Sequence, residues 1–133
     1  MSMVCLTLNS ETGEIHLLNC GHPQVYLIKN AKMKVLLGAG SLLGFHDTPE
    51  FDVKRYRMPP GDRIFIYTDG ILENGRTAGK AISFSKLRRT LSQRDKPVFE
   101  TQDAILSLFK TTWRNAPIED DYSMILLEWV TRA

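Results

Sequence analysis

The stretch from Arg63 to Thr68 sets the strongest constraint on how this chain folds. Its run Ile64-Phe65-Ile66-Tyr67 is apolar at four successive positions. Successive side chains of a strand point to opposite faces. A strand apolar on both faces must be covered on both sides. The chain is therefore expected to fold in layers, with that strand inside, and Asp69-Gly70 is expected to end it. At 133 residues the chain fits one domain and can bury a core without disulfide or metal staples.

The residues upstream read as further strands. Val4–Leu8 is a short apolar run, and Asn9-Ser10-Glu11-Thr12-Gly13 is a turn cluster that closes a hairpin onto Glu14–Asn19. Gly21-His22-Pro23 breaks the chain, Val25–Ile28 resumes a strand, and Lys29–Lys32 turns it into Val35–Leu37. Phe51–Met58 alternates in a mixed pattern that suits one edge strand, and Pro59-Pro60-Gly61-Asp62 is a tight turn. Helical spacing then appears in Ser83–Arg94, through Phe84, Leu87 and Leu91, and in Thr101–Arg114, with Thr101 as its cap. Tyr122–Val130 is a last strand behind Glu119-Asp120-Asp121. Strands first and helices later predict a mixed α/β (α+β) domain built on antiparallel sheet.

Charge and composition exclude several classes. Lys and Arg number 17 against 15 Asp and Glu, a net +2, which makes no electrostatic case for nucleic acid. Lys54, Arg55 and Arg57, and Lys86, Arg88 and Arg89, read as solvated faces. No apolar run approaches the roughly 20 residues that cross a bilayer. Cys5 and Cys20 form no CxxC pair and sit in apolar stretches, as small hydrophobes of a reduced, cytoplasmic protein do. His22, in Gly-His-Pro, reads as a structural turn histidine, neither His16 nor His46 has a partner that sequence identifies, and no Walker loop or nucleophile elbow is present.

Two acidic positions stand out. Asp69 closes the doubly apolar strand, and a carboxylate there calls for a cation or donors to meet it. Gly70 lets backbone approach closely. Read alone, Asp-Gly after a strand is also an ordinary hairpin turn. Asp120-Asp121 places two like charges side by side before another apolar strand, which open water or a divalent cation tolerates. Two strands with carboxylates at their ends can aim them at one hard cation such as Mg²⁺ or Mn²⁺.

The chain resembles a known family at four stretches in order. These are Asn19-Cys20-Gly21-His22-Pro23, Leu42-Leu43-Gly44, Pro60-Gly61-Asp62 running on through Ile64-Phe65-Ile66-Tyr67-Thr68-Asp69-Gly70-Ile71-Leu72-Glu73, and Asp120-Asp121-Tyr122-Ser123-Met124-Ile125-Leu126-Leu127. They resemble the motifs of bacterial metal-dependent serine/threonine phosphatases of the sporulation stage II E type, in the protein phosphatase type 2C superfamily. The resemblance implies an antiparallel β-sandwich flanked by helices and a Mn²⁺ or Mg²⁺ cluster at the sheet edge. It implies attack of a metal-bridging water on phosphoserine or phosphothreonine. It assigns metal binding to Asp69, Gly70, Asp120 and Asp121. It also implies that residues 1–133 are one partial domain, entered after the first strands and helices, without the Gly-Gly-Asp motif that supplies another metal ligand. A signalling phosphoprotein such as an anti-sigma-factor antagonist is the implied substrate. The sheet edges such a fragment exposes predict a homodimer. The alternative is a non-catalytic phosphatase fold that acts as a binding or dimerisation module.

Overall fold

The structure is a computed structural model and describes residues 1–45, 47–93 and 95–130. His46 and the Arg94 end expected for the first long helix lie outside the described residues.

Among the described residues, nine strands form three antiparallel sheets. β1 (Met3–Leu8), β2 (Glu14–Cys20) and β7 (Lys54–Arg57) make a three-stranded sheet in the order β1-β2-β7. β3 (Val25–Lys29), β4 (Lys32–Leu36), β8 (Arg63–Tyr67) and β9 (Met124–Glu128) make a four-stranded sheet in the order β4-β3-β8-β9. β5 (Ala39–Gly40) and β6 (Phe51–Asp52) form a small two-stranded ladder. α1 (Gly70–Glu73), α2 (Phe84–Leu91) and α3 (Val98–Thr112) complete the described elements.

The expected layering is observed, and β8 sits in the middle of it. Ile64 joins Ile15, Leu17, Val25, Leu27, Leu36 and Met58 in a core between the two larger sheets. Phe65 and Tyr67, on the other face of β8, join Leu87, Leu91, Ile105, Phe109 and Trp113 in a core beneath α2 and α3. β3 alternates in the same way, with Val25 and Leu27 toward the sandwich and Tyr26 and Ile28 toward the helices. Each such fully buried side chain contributes about 1.5–3 kcal/mol relative to an exposed one. The helices lie on one side only: α2 and α3 contribute to the core under the four-stranded sheet, and the described core between the sheets draws on strands and loops.

Several local expectations need correction. The stretch Phe51–Met58 is not one strand but two, because β6 pairs with β5 and β7 pairs with β2. β4 starts three residues earlier than Val35, since Asn30 and Ala31 both adopt positive φ (49° and 58°) and close a two-residue hairpin at Lys29↔Lys32. α3 begins at Val98 rather than Thr101. Thr101 is buried, its hydroxyl donates to the Pro97 carbonyl at 3.2 Å, and it accepts from Arg63 at 3.2 Å. The last strand is shorter than Tyr122–Val130. Cys5 is exposed, whereas Cys20 is buried. The basic residues Lys54, Arg55, Arg57, Lys86, Arg88 and Arg89 are exposed, as the solvated-face reading expects. Ser83 caps α2 by accepting from the Lys86 amide at 3.4 Å.

Candidate metal centre

The C-terminal end of β8 and the approach to β9 meet at one corner of the four-stranded sheet. Asp69 does not turn a hairpin there. It caps the short helix α1, with its Oδ1 accepting from the Gly70 amide at 3.2 Å. α1 then carries Glu73 four residues on from Asp69, one helical turn away and on the same face. Gly70 is buried, and a Cβ at that position would collide with the Asp121 carbonyl oxygen. The group that approaches closely at Gly70 is the Asp121 backbone.

The Asp120 loop is tied down from the α1 side. Asn74, just past α1, is fully buried. Its Nδ2 donates to the Gly70 carbonyl at 2.8 Å and to the Asp120 carbonyl at 2.7 Å. Its Oδ1 accepts from the Glu119 amide at 2.6 Å and the Asp120 amide at 2.9 Å. Closer to the sheet, Thr68 Oγ1 accepts from the Ser123 amide at 2.8 Å, and the Thr68 amide donates to the Ser123 carbonyl at 3.0 Å. The Thr77 hydroxyl donates to Glu119 Oε1.

These ties bring three exposed carboxylates together. One oxygen from each of Asp69, Glu73 and Asp120 lies within 4.8 Å of the others. Asp120 Oδ1 also accepts from the Asp121 amide at 2.8 Å. Glu73 has a cation nearby, with Arg76 Nη1 at 3.5 Å from its Oε1, and both side chains are half or more exposed. An exposed pair of this kind contributes little.

The donor set fits a divalent cation of the Mg²⁺ or Mn²⁺ type. It offers hard carboxylate oxygens alone, with neither imidazole nor thiolate in the group. Of the residues anticipated from sequence, Asp69 and Asp120 come together here. Gly70 lies directly beneath them, against the Asp121 backbone. Asp121 enters through its main chain, and its carboxylate stands outside the group of three. Sequence reasoning gave no role to Glu73 or Asn74. The spacing from Asp69 to Glu73 was the available signal for Glu73, and it is visible only once Asp69 is taken as a helix cap. Asn74 had no local signal, since its partners are up to 46 residues away.

Residues 1–130 match the family model described as stage II sporulation protein E. No curated protein matches at a significant level. The phosphatase domain of the cell fate determinant SpoIIE from Bacillus subtilis superposes with a TM-score of 0.71 at 16% identity, over 100% of this chain and 58% of that one. The SiaA-PP2C domain of Pseudomonas aeruginosa gives a TM-score of 0.80 at 16% identity, over 96% of this chain and 51% of that one. The RsbU and RsbW domains of Rv1364c from Mycobacterium tuberculosis give 0.74 at 21% identity, over 99% and 38%. At such identities the likeness establishes the fold. The chain spans 58% of the SpoIIE phosphatase-domain chain it matches. No helix among the described residues is long and apolar enough to cross a membrane.

Proposed function

The chain belongs to the stage II sporulation protein E family, and from that membership we propose that it serves metal-dependent hydrolysis of phosphoserine or phosphothreonine on a signalling phosphoprotein. The observation that carries this reading is the convergence of Asp69, Glu73 and Asp120 at one exposed corner. Asp69, Glu73 and Asp120 would hold the cation, Mn²⁺ or Mg²⁺, and Gly70 and Asp121 would shape the backbone beneath it. Such a cation, when bound, supplies a hydroxide-like nucleophile near neutral pH and neutralises phosphoryl oxygens.

The chain's own residues set the rest of the chemistry. Three carboxylates so close repel one another, which favours a state in which a cation sits among them. All three are exposed, so a phosphorylated side chain carried on another protein can reach them without entering a cavity. This openness supports a protein substrate, such as an anti-sigma-factor antagonist, over a small metabolite held in a pocket. The two free cysteines support a cytoplasmic place of work. Self-association belongs to the same reading. β9 is an edge strand of the four-stranded sheet and exposes Ile125, an apolar edge of the kind that finds a partner. Sedimentation at tens of micromolar should give a dimer, and a monomer would remove that part of the reading.

The test is hydrolysis of para-nitrophenyl phosphate with and without millimolar Mn²⁺, on wild type and Asp69→Asn. Manganese-dependent turnover that disappears in Asp69→Asn is the expected result. A folded wild type that binds Mn²⁺ without turnover would replace the enzyme reading with that of a phosphatase fold that binds its partner without hydrolysis.

A further inference from the structure

We propose that Asn74 is a positioning residue: it sets the Asp120 carboxylate against Asp69 and Glu73, and so fixes the chain's affinity for a divalent cation. The inference rests on the carboxylate group being the cation site, as argued above.

The geometry is specific. The two halves of the group come from different parts of the chain, α1 and the loop before β9. The ladder between β8 and β9 starts at Tyr67↔Met124, and Thr68 extends the pairing to Ser123 and, through its hydroxyl, to the Asp121 carbonyl at 3.4 Å. Asp120 lies beyond that ladder. Its own amide and its own carbonyl are both bonded to the Asn74 side chain, at 2.9 and 2.7 Å. The same amide group reaches the Gly70 carbonyl at 2.8 Å, inside the helix that carries Glu73 and follows Asp69. One side chain therefore spans the two segments and uses both its donors and its acceptor.

The chemistry of the contact selects the residue type. Two carbonyl acceptors and two amide donors face a single buried side chain. A carboxamide supplies two N–H donors and an oxygen with two lone pairs in that space. A carboxylate would turn acceptors toward both carbonyls, and a hydroxyl would leave most of the four contacts unmade. Groups that orient metal ligands from behind control affinity strongly when removed.

The experiment compares wild type, Asn74→Ala and a distant core variant, Leu17→Ala, by calorimetric Mn²⁺ titration of the whole chain. Amide hydrogen exchange of the metal-free proteins is read alongside. Leu17 is buried between the sheets and away from the carboxylates, so it reports what loss of stability alone does. Asn74→Ala should weaken Mn²⁺ binding roughly 10- to 100-fold. It should also speed exchange at Glu119 and Asp120. Leu17→Ala should lower the melting temperature and leave the affinity of the folded protein in place. If Asn74→Ala does not fold, Asn74→Ser, which can keep one loop contact, should show a smaller drop in the same direction.

Unchanged affinity in a folded Asn74 variant, even with faster exchange, would overturn the inference and leave Asn74 as a structural tie. Equal loss in Leu17→Ala would overturn it as well. A wild type that binds no Mn²⁺ would remove the cation site itself, and this inference with it. That result is distinguishable because it is read before any substitution.

Discussion

The two ends of β8 both carry charge, and they treat it in opposite ways. At the start, Arg63 is buried and every partner is structural. Its Nε donates to Glu128 at 3.1 Å, its Nη1 to the Thr101 hydroxyl at 3.2 Å, and its Nη2 to the Lys96 carbonyl at 2.6 Å. The guanidinium thereby binds β9, α3 and the segment before α3 to the central strand. At the other end, Asp69, Glu73 and Asp120 are exposed, carry the same sign and crowd within 4.8 Å. The Asn74 hydrogen bonds there hold backbone in place, and the carboxylates stay exposed although Asp69 and Asp120 each accept one neighbouring amide. Charge that stabilises a fold is enclosed by partners. The charge at the other end is left open to solvent, on a backbone that is itself held in place.

This contrast is breakable. Arg63→Ala should have the largest effect on stability, a loss of about 3–5 kcal/mol in urea unfolding, because it strands Glu128 and the Gln93 and Lys96 carbonyls. A loss under about 1 kcal/mol would show that the buried arginine is a surface-like pair and would dissolve the comparison. Gly70→Ala comes next, at about 1–3 kcal/mol, since its methyl meets the Asp121 carbonyl and one side must move. Unlike Arg63→Ala, it should also weaken Mn²⁺ binding in the molecules that remain folded.

A pH effect follows at the same end of the strand. Burial, with Tyr26 and Asp69 nearby, pushes the Tyr67 hydroxyl up to about 12, from an ordinary value of 10.0. The folded state therefore keeps this proton when the unfolded chain has lost it. The resulting stability is complete below pH 10 and is lost as pH rises toward about 12. Urea midpoints taken at pH 9 and pH 11 should fall for wild type and fall less for Tyr67→Phe. An equal fall in both would separate Tyr67 from the alkaline loss. The smallest stability effect is expected for Asp69→Asn. Removing one of three crowded like charges should leave the melting temperature unchanged or slightly higher, while Mn²⁺ binding collapses. A clear drop in melting temperature would mean that Asp69 is structural, like Arg63.

The sequence carried the layers more clearly than the corner where the carboxylates meet. Ile64–Tyr67 announced a strand covered on both sides because four apolar residues in a row leave no face for water. Phe84, Leu87 and Leu91 announced a helix by their spacing, whereas its cap, Ser83, became visible only in the structure. Asp69 and Asp120 were legible as acidic positions beside apolar strands. Asp69 was harder to assign as a cap, since Asp-Gly serves hairpins and helix starts equally well. The start of α3 was misplaced because Thr101 is a good cap by type, whereas its hydroxyl is engaged by Arg63 from a distant strand. Phe51–Met58 read as one strand because alternation is blind to which sheet each half joins. Asn74 was silent because all that distinguishes it is tertiary: four bonds, three of them to backbone brought from more than 40 residues away.

The central claim is that α1 and the loop before β9 assemble one cation site from Asp69, Glu73 and Asp120. Its most direct test is anomalous diffraction at the manganese edge from crystals grown with Mn²⁺. The account predicts a manganese peak in contact with carboxylate oxygens of all three residues. A peak elsewhere, or one that leaves Glu73 or Asp120 out of contact, would contradict it.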